Sequence, residues 1–311
     1  MTAVGTSAEA SPPPGAPERP RASRRRGGRG SRAGDGAGFT ALHHVVLSLW
    51  ALLVVLPLLW TVYTSLKTSR EILSDPFGLP AVPQLSNYSR AWEEARIGEY
   101  FLNTLIVVGT ALVVVMLLGA MCAYVLARYR FPGNRIIYFG MVAGLTFPIF
   151  LAVVPLFFVL RNMGLLDGRM GLVGVILSYV AFALPFTVFF LHSFFTSLPE
   201  EISEAAAIDG AGDFRTFFQV MLPMATPGLA SVAIFNFLGL WNQYLLPLVL
   251  NTDRRNHVLA QGLVNLQAQQ GYQVDWGGMF ASVVITVIPV LVVYVIFQRQ
   301  LQGGVGPGTM K

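Results

Sequence analysis

Side chains able to do covalent chemistry are few in this chain, and none stands in a working pattern. The four histidines, His43, His44, His192 and His257, have no metal-ligand spacing, and no nucleophile is paired with a base. His192 reads as an interfacial histidine near the end of an apolar run. The single Cys122 cannot close an intrachain disulfide and reads as a small packing residue. No G-x-x-x-x-G-K-[ST] loop is present to cradle phosphates, and Gly303, Gly304, Gly306 and Gly308 follow no phosphate-binding pattern. Catalytic and metal residues are therefore expected to be absent, and the chain is not an enzyme on this reading. The polar residues that do form a pattern lie between two long apolar runs: Glu200, Glu201, then Glu204-Ala205-Ala206-Ala207-Ile208-Asp209-Gly210, followed after nine residues by Val220-Met221-Leu222-Pro223. Their chemistry is non-covalent, that of a surface where a membrane subunit meets something soluble.

Punctuation within this stretch predicts a short helix over about 198–209. Ser197-Leu198-Pro199-Glu200 reads as an N-cap, an early-turn proline and a capping-box glutamate, and Gly210 is placed to end the helix in a left-handed conformation. At about 100° per residue, Glu200, Glu201 and Glu204 share one arc, while Ile202, Ala205 and Ala206 share another. A second helix is expected from Asp213 to Pro223. Two readings compete: an amphipathic connector lying in the lipid interface, and a docking element for another protein. Acidic residues suit anionic lipid poorly and a small-residue face admits close approach, so docking is favoured.

The elements that must position this stretch are membrane spans. Apolar residues make up 54% of the 311 and charged residues 12%, which excludes an ordinary soluble domain. Runs at about 101–127, 136–160, 171–195, 225–250 and 279–297 are free of Asp, Glu, Lys and Arg, and each is near the ~20 residues that cross the hydrocarbon as a helix. A sixth run, about 41–66, precedes them. The expected fold is an all-α membrane protein of six transmembrane helices, over residues 41–311, with a helix-loop-helix between spans four and five. Strand alternation is absent, against a barrel.

Residues 1–40 differ, with seven arginines against three acids among Ala, Gly, Pro and Ser, and are expected to be disordered. A nucleic-acid tail, an anionic-lipid tether and a cleaved signal peptide are weighed against a solvated topology signal, which is favoured; no nucleic-acid partner is expected. With the N-terminus inside, segments 1–40, 128–135, 196–224 and 298–311 carry thirteen basic residues against eight outside, which favours cytoplasmic N- and C-termini. Without the tail the count is six against eight, so the cluster Arg128, Arg130 and Arg135 matters to the assignment.

Prolines at 57, 148, 155, 185, 247 and 289 favour kinks that line a cavity or act as hinges. Gly140 and Gly144 have the spacing of a close helix contact. Span five carries Asn236, Trp241, Asn242, Gln243 and Tyr244, neutral hydrogen-bonding and aromatic groups of the kind a polyol path requires. Interhelical hydrogen bonding explains the same residues as well. Outside the spans, residues 67–100 hold turn chemistry at Asp75-Pro76-Phe77-Gly78 and an amphipathic piece around Tyr88 to Tyr100, and residues 251–278 are polar enough to face water.

Glu-Ala-Ala, three residues, Gly, nine residues, then an aliphatic, any residue, Leu and Pro resembles the cytoplasmic signature of membrane subunits of binding-protein-dependent ABC importers. Glu204 to Pro223 fits its spacing throughout, with Val220 where isoleucine is usual. The resemblance covers residues 41–311 and is closest to carbohydrate permeases of the maltose-transporter type: Ser65-Leu66-Lys67-Thr68, Asn87-Tyr88, Ala91-Trp92, Asn103-Thr104, Ala123-Tyr124-Val125-Leu126-Ala127-Arg128 and Trp241-Asn242. It implies a permease subunit in a bacterial cell membrane, half of a translocation path for a sugar, with an oligosaccharide or amino sugar preferred. It implies as partners a second permease, two ATPase subunits that use ATP and Mg, and an extracellular or periplasmic sugar-binding protein, with no cofactor on this chain. Glu204 is then the polar anchor on the ATPase, Ala205 and Ala206 pack closely against it, Gly210 makes the turn, and Glu201, Asp209, Leu222 and Pro223 belong to the same ATPase-coupling segment. The 251–278 loop is then expected to reach toward the docked binding protein. The alternative is an ion-coupled secondary transporter of a small polar solute, but none of the five charge-free runs holds the ionisable residue such a carrier uses. A membrane-embedded enzyme lacks its catalytic cluster.

Overall fold

The computed structural model describes residues 33–269 and 274–304; the expected disordered tail up to residue 32, and Gly306 and Gly308, lie outside them. Among the described residues every regular element is helical. The chain divides into two units, residues 1–54 and 55–311, the boundary falling inside the first helix, α1 (Ala33–Thr64). This helix begins well before residue 41, where the expected span starts, since no proline after Pro20 interrupts the ladder upstream of the apolar run. In the first unit Leu42, Leu47, Trp50 and Leu53 are exposed, as on a helix whose apolar faces are satisfied by lipid.

The second unit begins with the rest of α1 and two short helices, α2 (Ser69–Ser74) and α3 (Ser86–Glu93). Thr68 caps α2 with the reciprocal Thr68–Glu71 capping box. The expected amphipathic piece is α3, and it ends at Glu93 because Arg96 takes a left-handed backbone (φ 58°) that starts α4 (Ile97–Arg128).

Two helices dominate the interior, α4 and α7 (Met170–Ser197). They run parallel. Ile97 to Val115 pack with Val175 to Val180 at one end, and Ala120 to Leu126 pack with Val188 to Phe195 at the other. Gly119 makes the approach possible: a Cβ there would lie 2.4 Å from Thr187 Cγ2. Because α4 and α7 point the same way, residues 134–162 must carry the chain from the Arg128 end back to the Ile97 end. They do so as α5 (Asn134–Leu145) and α6 (Ile149–Asn162), bent by 105°. The expected continuous span over 136–160 is thus broken. Phe147 precedes a proline and is steered out of the helical region, and Pro148 has no N–H to offer. Gly144 rests against Pro185 of α7 while Gly140 has no neighbour, so the pair does not seat one helix.

After α7 come α8 (Glu200–Ile208) and α9 (Asp213–Arg215), a π-helical turn at Thr216–Met221, and α10 (Leu222–Met224). Helix α11 (Thr226–Trp241) follows, and the 213–224 stretch meets it at 77°. The expected span 225–250 stops at Trp241. Asn242 takes the Leu238 carbonyl with both its amide and its Nδ2, and Gln243 Oε1 accepts from Leu245 N, which starts the separate helix α12 (Leu245–Leu250). The 251–278 stretch is more than a connection, since it contains α13 (Leu259–Gln269). The last described element is α14 (Trp276–Gly304). Among the described residues four helices are long and apolar enough to cross a membrane, and the two bent pairs raise the number to as many as six.

Candidate functional site

The acidic stretch projects beyond the Arg128 end of the α4–α7 pair. Leu198 leaves α7 in an extended conformation, and Pro199 turns the chain into α8. The expected capping box does not form: Ser197 remains the last residue of α7 and its hydroxyl donates to the Phe194 carbonyl. The helical register of α7 holds Ser197 because its own carbonyl ladder is nearer than the next helix.

At its far end α8 closes as the sequence predicts. Gly210 has φ +77°, its N–H donates to the Ala207 carbonyl at 3.0 Å, and Ala211 N–H donates to the Ala206 carbonyl at 3.0 Å. These two bonds are the Schellman pair, and they fix where the following loop departs.

The faces of α8 differ in part from expectation. Ile202 and Ala206, four residues apart, turn toward the chain's own interior, with Ala206 only 8% exposed. Ala205 is exposed beside Glu201 and Glu204. The two alanines expected to contact a partner together are therefore separated, because positions one apart on a helix point about 100° from each other. Glu201, Glu204 and Asp209 are exposed, and Ile208 (87% exposed) and Phe214 (74%) stand out at the tip. Leu222 is half-buried and Pro223 exposed beyond the π turn, where Pro223 offers its carbonyl to the Thr226 hydroxyl. Among the described residues no group of His, Cys, Asp and Glu could hold a metal ion. The arrangement can dock: free carboxylates surround exposed aliphatic and aromatic groups.

An aromatic cluster supports the segment from beneath. Tyr124 of α4 lies 5.6 Å from the Phe195 ring and 5.1 Å from Phe217. Beside it Arg128 Nη2 donates to the Leu198 carbonyl at 2.8 Å, and the Tyr129 hydroxyl donates to Asp213 Oδ1 at 2.9 Å. Partial burial, then the contacts with Tyr124 and Asp213, push the Tyr129 phenol above its ordinary range, so it remains a donor. In the sequence Arg128 stands out only as a topology signal and as the end of the Ala123–Arg128 run, and Tyr129 does not stand out; the polar Arg-Tyr pair ending a long apolar run is the available clue.

Of the span-five residues, Asn236 and Gln243 line one cleft of about 300 Å³ with Tyr179, Phe182, Phe186 and Phe235. Asn236 Nδ2 also donates to Thr187 Oγ1 at 2.8 Å, so it ties α11 to α7 as well. Trp241 does not line the cleft; it is buried, donates to the Thr286 carbonyl and packs on Phe237. Asn242 and Tyr244 lie outside it too, spent on capping α11 and starting α12.

At the Ile97 end, polar residues build a fixed outer layer. Asn87 donates to the carbonyls of Ser65 and Lys67, and Arg90 pairs with Asp275 at 3.0 Å. Burial raises the Asp275 carboxyl, but the Arg90 guanidinium and the Gly278 amide outweigh it and hold it below the usual carboxylate range. Asn103 donates to the carbonyls of Arg255 and His257, and the Thr104 hydroxyl accepts from Leu259 N. Arg96, Glu99, Arg169, Asp253 and Arg255 edge an open cleft of about 570 Å³ there.

The geometry is that of a helical membrane protein with two clefts and an acidic helix displayed at one end. Residues 98–306 match the family described as binding-protein-dependent transport system inner membrane component. The chain is 60% identical over 273 residues to the diacetylchitobiose uptake system permease protein NgcG of Streptomyces coelicolor, covering 88% of this chain and 89% of that one. It is 32% identical over 257 residues to the trehalose transport system permease protein SugB of Mycobacterium tuberculosis, covering 83% and 92%. A bacterial ABC transporter involved in the import of the acidic polysaccharide alginate shares the fold, with a TM-score of 0.73 at 24% identity over 86% of this chain and 98% of that one. The chain belongs to the family of binding-protein-dependent inner-membrane transport components. It is a permease subunit of an ABC importer and not an enzyme. Membership implies a partner permease, a separate ATPase and a substrate-binding protein, and sets the secondary-carrier alternative aside.

Proposed function

We propose that this chain forms half of the translocation path of an importer for an amino-sugar oligosaccharide, of the size and chemistry of diacetylchitobiose. The 60% identity to a diacetylchitobiose permease supports that substrate class. In this reading the chain pairs with one different permease, two ATPase subunits that consume ATP with Mg, and one extracellular or periplasmic binding protein. Each bent helix pair counts as one span, giving six, with both termini cytoplasmic; the parallel run of α4 and α7 supports the first of these, since an odd number of crossings must separate them.

The observation that carries the coupling role is the display of α8. Glu201, Glu204, Ala205 and Asp209 are exposed beside Ile208, with the Gly210 turn fixing the exit of the helix. Docked in an ATPase cleft, α8 would move as a rigid body when the nucleotide subunits close, and the spans behind it would alternate the access of the path. Asn236 and Gln243 supply amide groups to that path, and Tyr179 and the phenylalanines of the same cleft supply faces for sugar C–H surfaces.

Co-purification from native membranes tests this reading. A nucleotide-binding ATPase and a second permease are expected with the wild-type chain, and Glu204→Lys should release the ATPase while permease pairing persists. A chain that purifies alone and transports in liposomes without ATP overturns it.

A further inference from the structure

We propose that Arg128 and Tyr129 are positioning residues that clamp the α8 segment to α4, so that movement of α8 is delivered to that helix; the proposal rests on the coupling role given to α8. Two consecutive residues at the end of one helix hold both ends of the segment. Arg128 Nη2 binds the Leu198 carbonyl just before α8, and the Tyr129 hydroxyl binds Asp213 just after the Gly210 turn. Leu198 and Asp213 are backbone and side-chain anchors on opposite sides of α8, so a clamp at both resists rotation as well as displacement.

Three further observations support a dedicated role. Arg128 Nε is buried with no partner among the described residues, an expense that a packing residue would not incur. The Tyr124 ring, one turn before Arg128, fills the space between Phe195 and Phe217. The contact between α4 and this segment is therefore both polar and packed. Helix α4 also reaches the opposite end of the molecule, where Asn103 and Thr104 hold the backbone at Arg255, His257 and Leu259. One rigid helix thus joins the ATPase-facing segment to the outer layer.

The test uses the whole importer, with its ATPase and binding protein, and diacetylchitobiose as the sugar probe. Tyr129→Phe deletes only the hydroxyl, and loss of one such bond corresponds to about a fivefold change in an equilibrium. Uptake per ATP hydrolysed is expected to fall by about that factor, with ATPase recovery unchanged. Asp213→Asn keeps an acceptor oxygen and should transport like wild type, whereas Asp213→Ala should match Tyr129→Phe, and the double variant should be no worse than either single one. Arg128→Lys should retain more uptake than Arg128→Gln. Equal behaviour of Asp213→Asn and Asp213→Ala, or wild-type coupling in Tyr129→Phe, overturns the clamp.

A second measurement does not depend on the sugar. Spin labels at Val125→Cys and Ala207→Cys, with Cys122→Ser, should report one α4–α8 distance with and without trapped ATP, and a nucleotide-dependent distance once Tyr129→Phe and Arg128→Gln are added. A nucleotide-dependent distance with the clamp intact overturns the proposal. Failure of the ATPase to co-purify with the unmodified chain would instead sink the coupling role itself.

Discussion

Replacing Gly210 isolates the turn that ends α8. The residue has φ +77°, and a Cβ added there would meet nothing within 4 Å, so the cost of a side chain is one of backbone conformation and not of space. Holding an ordinary L-residue in the left-handed region costs about 1–2 kcal/mol, less for asparagine and more for a β-branched residue. Gly210→Ala should then open the Schellman pair about tenfold more often, Gly210→Val about thirtyfold or more, and Gly210→Asn only a few-fold. Amide hydrogen exchange at Ala211, whose N–H is bound to the Ala206 carbonyl, reads this opening directly. The order of protection should be Gly, Asn, Ala, Val, and uptake should decline in the same order. Equal protection in Ala and Val, or an Asn variant as open as Val, refutes the reasoning, because steric and conformational costs predict different rankings.

Four further outcomes follow from the geometry. Gly119→Ala should destabilise the α4–α7 contact by about 1–3 kcal/mol, read as a lower thermal midpoint, and Thr187→Ser should recover part of it by removing the Cγ2 that lies 2.4 Å from the new Cβ while keeping the hydroxyl bound to Asn236. Asn236→Ala should both lower the midpoint, by cutting the bond to Thr187, and raise the KM for sugar, whereas Gln243→Ala should raise KM with the midpoint little changed; thermal scans and uptake as a function of sugar concentration separate them. Burial, and then Arg254, hold the His257 imidazole below its ordinary pKa, so the folded state binds fewer protons than the unfolded chain. Stability should therefore fall as pH drops through about 6.5. His257→Gln should flatten that dependence in thermal scans between neutral and mildly acidic buffer. Conversely the depressed Asp275 carboxyl contributes stability above its unfolded value of about 3.9 that is lost as pH falls through its folded one, and Asp275→Asn should remove that acid limb from the same scans.

Class and helical content were legible because charge-free runs near twenty residues admit few other structures. Gly210 was legible for a local reason, its φ requirement. The breaks at Phe147-Pro148 and at Asn242-Gln243 were written in the sequence as a proline and two amides, but composition alone could not separate a kink from a sharp bend. Burial of Ala206 and exposure of Ala205 depended on Ile202 finding the Phe195–Phe217 cluster, a tertiary fact that helical periodicity does not carry. The five span-five residues divide for a similar reason. Asn236 of α11 and Gln243 of the break that follows it line the same cleft, while Trp241 faces α14 and Asn242 and Tyr244 are taken up by helix ends.

The π-helical turn at Thr216–Met221 gives the two sides of the segment different mechanical characters. On the α8 side the chain is stiff, fixed by the Schellman bonds. On the α11 side the wide turn is held by packing, with Phe217 and Met221 buried against the cluster of Tyr124 and Phe195. In the proposed coupling role, a push on Ile208 would reach α4 both through the Leu198 and Asp213 bonds and through that packed turn.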